Sequence, residues 1–265
     1  MTTRSPEFAA DDEFDATDSE VDGQARMSFL EHLDELRRRL IYSIWALAGC
    51  FAVTFWFWEP MFRYLTSYFQ SNGGSLIYSA PTSGFMFSLK VSGVAALIVA
   101  APFIFCQLWL FVAPGLYKKE KRVVVPFVIC SSLLFFAGAA FAHFVAFPMM
   151  WQFFASYQIE NVKFLATLDD TFAFYVYTLL GTGLVFQMPM VVFFLARFGI
   201  VNARFLLKHI KYAVLAIFII AAVVTPSQDV VTQTVFAAPM LVLYVISIGV
   251  AWLFGKKTPK ESKEA

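Results

Sequence analysis

From residue 28 onward the chain alternates between long apolar stretches and short polar breaks. Ile41–Trp58, Phe85–Phe111, Val123–Phe147, Thr171–Ala196 and Val230–Phe254 reach or approach the length of roughly 20 residues that a helix needs to cross a bilayer. A sixth stretch, Tyr212–Val224, is apolar over only 13 residues. At 1.5 Å per residue it covers roughly 20 Å of a hydrocarbon layer about 30 Å thick. The pattern predicts an all-α polytopic membrane protein with six transmembrane helices, the fifth of them short. Pro102, Pro126, Pro189 and Pro239 fall inside these stretches and are expected to bend or interrupt helices.

Before the first stretch lies a segment of different character. Residues 1–26 hold Glu7, Asp11, Asp12, Glu13, Asp15, Asp18, Glu20 and Asp22 with few large apolar residues, and are expected to form a disordered acidic tail. Residues 27–254 then form the membrane domain, and 255–265 a short basic tail. The acidic start is the wrong chemistry for a secretory signal or an Arg-rich transit peptide, which favours a bacterial inner membrane over an organelle.

Composition strengthens the membrane reading. Hydrophobic residues make up 59% of the chain, charged residues 15%, and 32 residues are Phe. That is too apolar for a soluble domain, and a net charge of +1 offers no nucleic-acid partner. Charge is nevertheless sorted by side. With both termini in the cytoplasm, 17 of the 20 Lys and Arg fall on the cytoplasmic face, and the other side keeps only Arg63, Lys90 and Lys163. Omitting the short fifth span would move the C-terminal lysines outside. The outer segments Glu59–Gly84 and Pro148–Asp170 mix aromatic and polar residues, as amphipathic caps on the membrane surface do.

Candidate chemistry is sparse. Cys50, Cys106 and Cys130 are scattered through apolar runs, which argues against disulfides and metal sites. No cofactor, metal or catalytic set is expected. Ser28-Phe-Leu-Glu-His-Leu-Asp-Glu-Leu-Arg-Arg-Arg-Leu40 reads as an amphipathic helix starting at a Ser28/Glu31 capping box, with Glu35 and Arg39 four residues apart. The loop Ala113–Arg122 carries one acid, Glu120, among four bases. Paired with Glu35 on the same membrane face, it offers two carboxylates to a cationic partner. Within the spans, Gln107, Gln187, Gln233 and His143 are polar groups in apolar surroundings, each a candidate for interhelical hydrogen bonding or function.

Three segments carry a family resemblance. His32-Leu-Asp-Glu-Leu-Arg-Arg-Arg-Leu40, Ala101–Arg122 and Val224-Thr-Pro-Ser-Gln-Asp-Val-Val-Thr-Gln233 closely resemble TatC, the membrane receptor of the twin-arginine protein translocase, and the similarity runs from about residue 28 to 254. The resemblance implies a cup-shaped six-helix fold with short last helices and no enzymatic activity. It implies binding of the twin-arginine signal peptides of folded cargo, and assembly with the single-span subunits TatA and TatB into a multimeric receptor complex driven by the proton-motive force. By motif, Glu35 and Glu120 match the acids of signal recognition, with Arg37, Phe111 and Gln107 in support. Thr225 and Gln233 match partner-docking positions, and Asp229 the end of a Thr-Pro-x-Asp turn. Two positions depart from the family pattern. Gln187 stands where an intramembrane Glu is common, and Tyr68 where many members have Pro. The competing reading, a small-molecule or ion secondary transporter, would require ionisable groups converging at mid-membrane.

Overall fold

The structure, a computed structural model, describes residues 12–71, 75–112, 124–156, 165–224 and 229–254. Helix α1 (Asp12–Trp56) leads into α2 (Trp58–Ser71), strand β1 (Ser75–Ile77) and α3 (Ser83–Val112). Next come α4 (Val124–Phe141), one π-helical turn (Ala142–Ala146), α5 (Phe147–Ser156) and strand β2 (Leu165–Thr167). The chain ends with α6 (Leu168–Val185), α7 (Met188–Phe198), α8 (Ala203–Lys208), α9 (Ile210–Val224) and α10 (Val230–Phe254).

Five helical segments are long and apolar enough to cross a membrane: Leu30–Trp56, Ser83–Val112, Val125–Ser156, Leu168–Phe198 and Val230–Leu253. The third runs unbroken through α4, the π turn and α5, and the fourth joins α6 to α7. Helix α9 has 15 residues, about 22 Å at 1.5 Å per residue, so it remains the short one. The backbone of α1 begins at Asp12 and passes Ser28 without interruption. Ser28 therefore starts no helix, because nothing in the preceding residues breaks one.

The outer surface is apolar, unlike that of a soluble protein. Trp45, Trp56, Val223 and Trp252 are exposed, whereas Ser88, Ser92, Ala96 and Ala100 form a buried stripe on α3. Apolar side chains facing outward match hydrocarbon, and small residues facing inward let backbones approach. Across the α1–α3 contact the Thr54 hydroxyl donates to the Ser92 carbonyl at 2.9 Å. The α4–α6 crossing is as intimate, with Gly138 set directly against Gly183.

The prolines act according to their place. Pro102 and Pro239 lie inside α3 and α10. Pro126 sits in the first turn of α4, where its missing N–H costs no helical bond. Pro189, in the first turn of α7, cannot extend α6, so the fourth span breaks at Phe186–Gln187.

Of the two aromatic outer segments, the first contains α2 outside the spans, whereas the second begins with α5, which continues the third span. They also contain a two-stranded parallel sheet, with Ser75 opposite Leu165 and Ile77 opposite Thr167. Two three-residue strands carry no periodic signal of their own, so tertiary pairing alone creates this sheet. It joins the segment after α2 to the segment before α6.

Candidate functional site

The start of the first span, around Leu30 within α1, meets the end of α3 nearest Val112, and Glu35, Arg39, Gln107 and Phe111 come together there. Glu35 and Arg39 lie one helical turn apart, in the favoured order of acid before base. Arg39 Nη2 donates to Glu35 Oε1 at 3.2 Å. The same guanidinium reaches across to α3, where Nη1 donates to Gln107 Oε1 at 3.2 Å. Its third donor, Nε, is buried without an acceptor. Gln107 is buried, while the side chains of Glu35 and Arg39 retain 31% and 27% of their exposure. The pair is therefore only partly desolvated and stays accessible to an exchanging ligand. Phe111 stacks on His32 with ring centroids 4.4 Å apart and planes at 15°, closing the same corner. Arg37 points outward and is exposed. Glu120, the second expected acid, and Thr225 lie outside the described residues.

The remaining polar positions sit elsewhere and are separate from this corner. Gln187 occupies the break between α6 and α7, where its Nε2 donates to the Ser131 carbonyl of α4 at 3.0 Å. Ser131 is shared: its hydroxyl accepts from Trp109 Nε1 of α3 at 2.8 Å. The indole in turn stacks on Phe194 of α7, with centroids 4.3 Å apart. The neutral carboxamide fastens the fourth span to the third, Trp109 ties the second to both, and the amide has no titratable proton. Gln233 of α10 donates from Nε2 to the Phe218 carbonyl of α9 at 2.8 Å, tying the short helix to its neighbour. Asp229 caps α10, its Oδ1 accepting from the Thr232 N–H at 2.8 Å.

A second polar cluster emerges only in three dimensions. The π turn leaves the His143 carbonyl outside the regular ladder, and the Tyr68 hydroxyl of α2 donates to it. Burial, with Tyr64 adding to it, pushes the Tyr68 hydroxyl well above the usual tyrosine range, so it stays protonated as a donor. The His143 ring is held at both nitrogens, Nε2 at 2.9 Å from the Tyr64 hydroxyl and Nδ1 at 2.9 Å from that of Tyr175. Three tyrosines from two helices thus converge on one histidine and pin α2 against the third and fourth spans. His143 was visible in the sequence as an intramembrane polar residue. Its partners were not, because Tyr64 and Tyr68 lie about 80 positions earlier. Among the described residues, no three His, Cys, Asp or Glu side chains come together to hold a metal.

Comparison with known proteins agrees with this architecture. Residues 31–239 match the family model "Sec-independent protein translocase protein (TatC)". A TatC protein of Koribacter versatilis is 40% identical over 245 residues, covering 90% of this chain and 90% of its own. One of Helicobacter pylori is 38% identical over 232 residues, covering 88% and 90%. The crystal structure of a twin-arginine translocase receptor TatC superposes with a TM-score of 0.72 at 33% identity, covering 83% of this chain and 97% of that one. The overall helical architecture is thus that of a known membrane fold, and the chain belongs to the TatC family of Sec-independent protein translocase proteins.

Proposed function

We propose that this protein is the signal-recognition subunit of a twin-arginine translocase in a bacterial inner membrane, with six spans and both termini in the cytoplasm. It binds the twin-arginine signal peptides of folded cargo, with Glu35 and Glu120 as the carboxylates that receive the paired guanidinium groups. Gln107 and Phe111 shape the corner and Arg37 lies at its rim. The observation that carries this reading is the Glu35 carboxylate, already engaged by an arginine side chain at the junction of α1 and α3. A site that accepts one guanidinium has the geometry for another, and Arg offers a planar fork that Lys lacks.

On this reading Thr225 and Gln233 form the docking region for TatA and TatB, and Gln233 also holds α9 against α10. Short α9 beside a full-length α10 favours a locally thinned bilayer where a folded protein would cross, with transport driven by the proton-motive force and the receptor assembled as a multimer. The test is signal-peptide crosslinking and export in membranes carrying Glu35→Ala together with Glu120→Ala. Both signals are expected to be lost, and unchanged crosslinking would refute the assignment.

A further inference from the structure

We infer that Arg39 is an internal stand-in for the signal arginine: it caps Glu35 in the resting receptor, and a signal peptide binds by displacing it. The inference rests on the proposed recognition role of Glu35. Three observations support it. Glu35 accepts from Arg39 through Oε1 alone, and among the described residues Oε2 takes part in no hydrogen bond. Arg39 is held by single contacts, one to Glu35 and one to Gln107, and its Nε is buried without an acceptor. This guanidinium is therefore incompletely satisfied where it lies. An arriving guanidinium that pairs side-on with both carboxylate oxygens makes two parallel bonds where Arg39 makes one. The displaced Arg39 keeps Gln107 as an anchor, or turns its head group to water along its flexible stem.

The exchange is isoelectric at Glu35, with one guanidinium leaving as another enters. Two consequences follow. Any cationic ligand must overcome the same resting contact, so the cap lowers the affinity of every basic segment and keeps weak ones off the receptor. When the signal withdraws, the carboxylate does not stand bare, because Arg39 returns to it. The cap therefore lowers the barrier to release.

The experiment uses the full-length protein in lipid nanodiscs and measures equilibrium binding of a synthetic twin-arginine signal peptide and its Lys-Lys counterpart. In Arg39→Gln both peptides are expected to bind tighter by a similar factor, about threefold for a partly solvated ion pair. Loss of a merely structural contact would instead weaken binding or leave it unchanged, and either result overturns the cap. Removing a positive charge could by itself tighten a cationic ligand, and the Glu35→Gln background separates the two effects. There the gain from Arg39→Gln must vanish if competition acts through Glu35, and its persistence refutes the cap. Arg39→Lys, which keeps the charge and the fold, is expected to give a smaller gain of the same sign. If Glu35→Gln alone leaves twin-arginine binding unchanged, the recognition role itself fails. If it weakens binding while Arg39→Gln brings no gain, only the cap fails.

Discussion

Alanine at position 138 measures how much of the fold depends on two helices touching backbone to backbone. A Cβ built on Gly138 of α4 would lie 2.9 Å from Gly183 Cα, 2.9 Å from the Thr182 carbonyl oxygen and 2.9 Å from Phe186 Cγ. Two of these three atoms are backbone of α6. To reach ordinary contact at 3.4 Å the helices must separate by about half an ångström along their crossing, which loosens side chains above and below it. Overpacking of this kind costs about 1–3 kcal/mol, and a clash with unyielding backbone takes the upper part of that range. Alanine returns about 1 kcal/mol through its higher helix propensity. The net loss is then about 2 kcal/mol. Gly183 is the control. Its Cβ would meet the Phe135 ring at 2.8 Å, and a ring can swing aside, so Gly183→Ala should come out near zero. Reversible unfolding in bicelles, followed for the wild type and both variants, gives the comparison. If Gly138→Ala lies within about 0.5 kcal/mol of wild type, or if Gly183→Ala is the more damaging, the close-approach reasoning is wrong.

Two further outcomes follow from the buried networks. Ser131→Ala strips the acceptor from the Trp109 indole N–H, stranding a buried donor at a cost of about 1–3 kcal/mol. Gln187→Leu removes only one of the bonds to a helical carbonyl, about 0.6 kcal/mol in a membrane setting. The same unfolding assay should therefore rank Ser131→Ala as the worse, and the reverse order would show that the amide at 187 has a role beyond this bond. His143→Phe removes the partner of the Tyr175 and Tyr64 hydroxyls and should cost about 1–3 kcal/mol. Tyr175→Phe in the same chain should recover part of that loss, and strict additivity of the two substitutions in unfolding free energy would refute the pairing.

The spans were legible because apolar runs of membrane-crossing length leave few alternatives. Pro189 was also legible as a point of interruption, and α6 gives way to α7 there. At the proposed site, Glu35 and Arg39 read as partners from their four-residue spacing, and the structure adds the long-range half. Gln107 lies 68 positions away, and only the packing of α1 on α3 brings it to the guanidinium. Gln187 and Gln233 were recognisable as polar groups needing partners, yet both bond to backbone carbonyls. Carbonyls have no signature in sequence, so such partners emerge only from the packed helices. The Tyr68–His143 contact depends on a π turn, which no residue type specifies.

The interactions that cross between helices are not equally exchangeable, and this bears on where a ligand can act. Gln187, Trp109 and Ser131 are buried, so breaking their bonds without replacement strands a polar atom in an apolar interior, at about 1–3 kcal/mol each. A binding partner would have to replace every lost bond with matched geometry. The Glu35–Arg39 pair, made within α1, differs. Its side chains are 31% and 27% exposed, the contact is worth about 0.2–1 kcal/mol, and water or a second guanidinium can satisfy whichever group is released. A charged ligand therefore meets less resistance at the Glu35–Arg39 pair of α1 than at the glutamine and tryptophan contacts, which hold α3, α4 and α7 in place. The frame is kept by bonds that are costly to break, whereas the proposed recognition site falls at a pair that is readily exchanged.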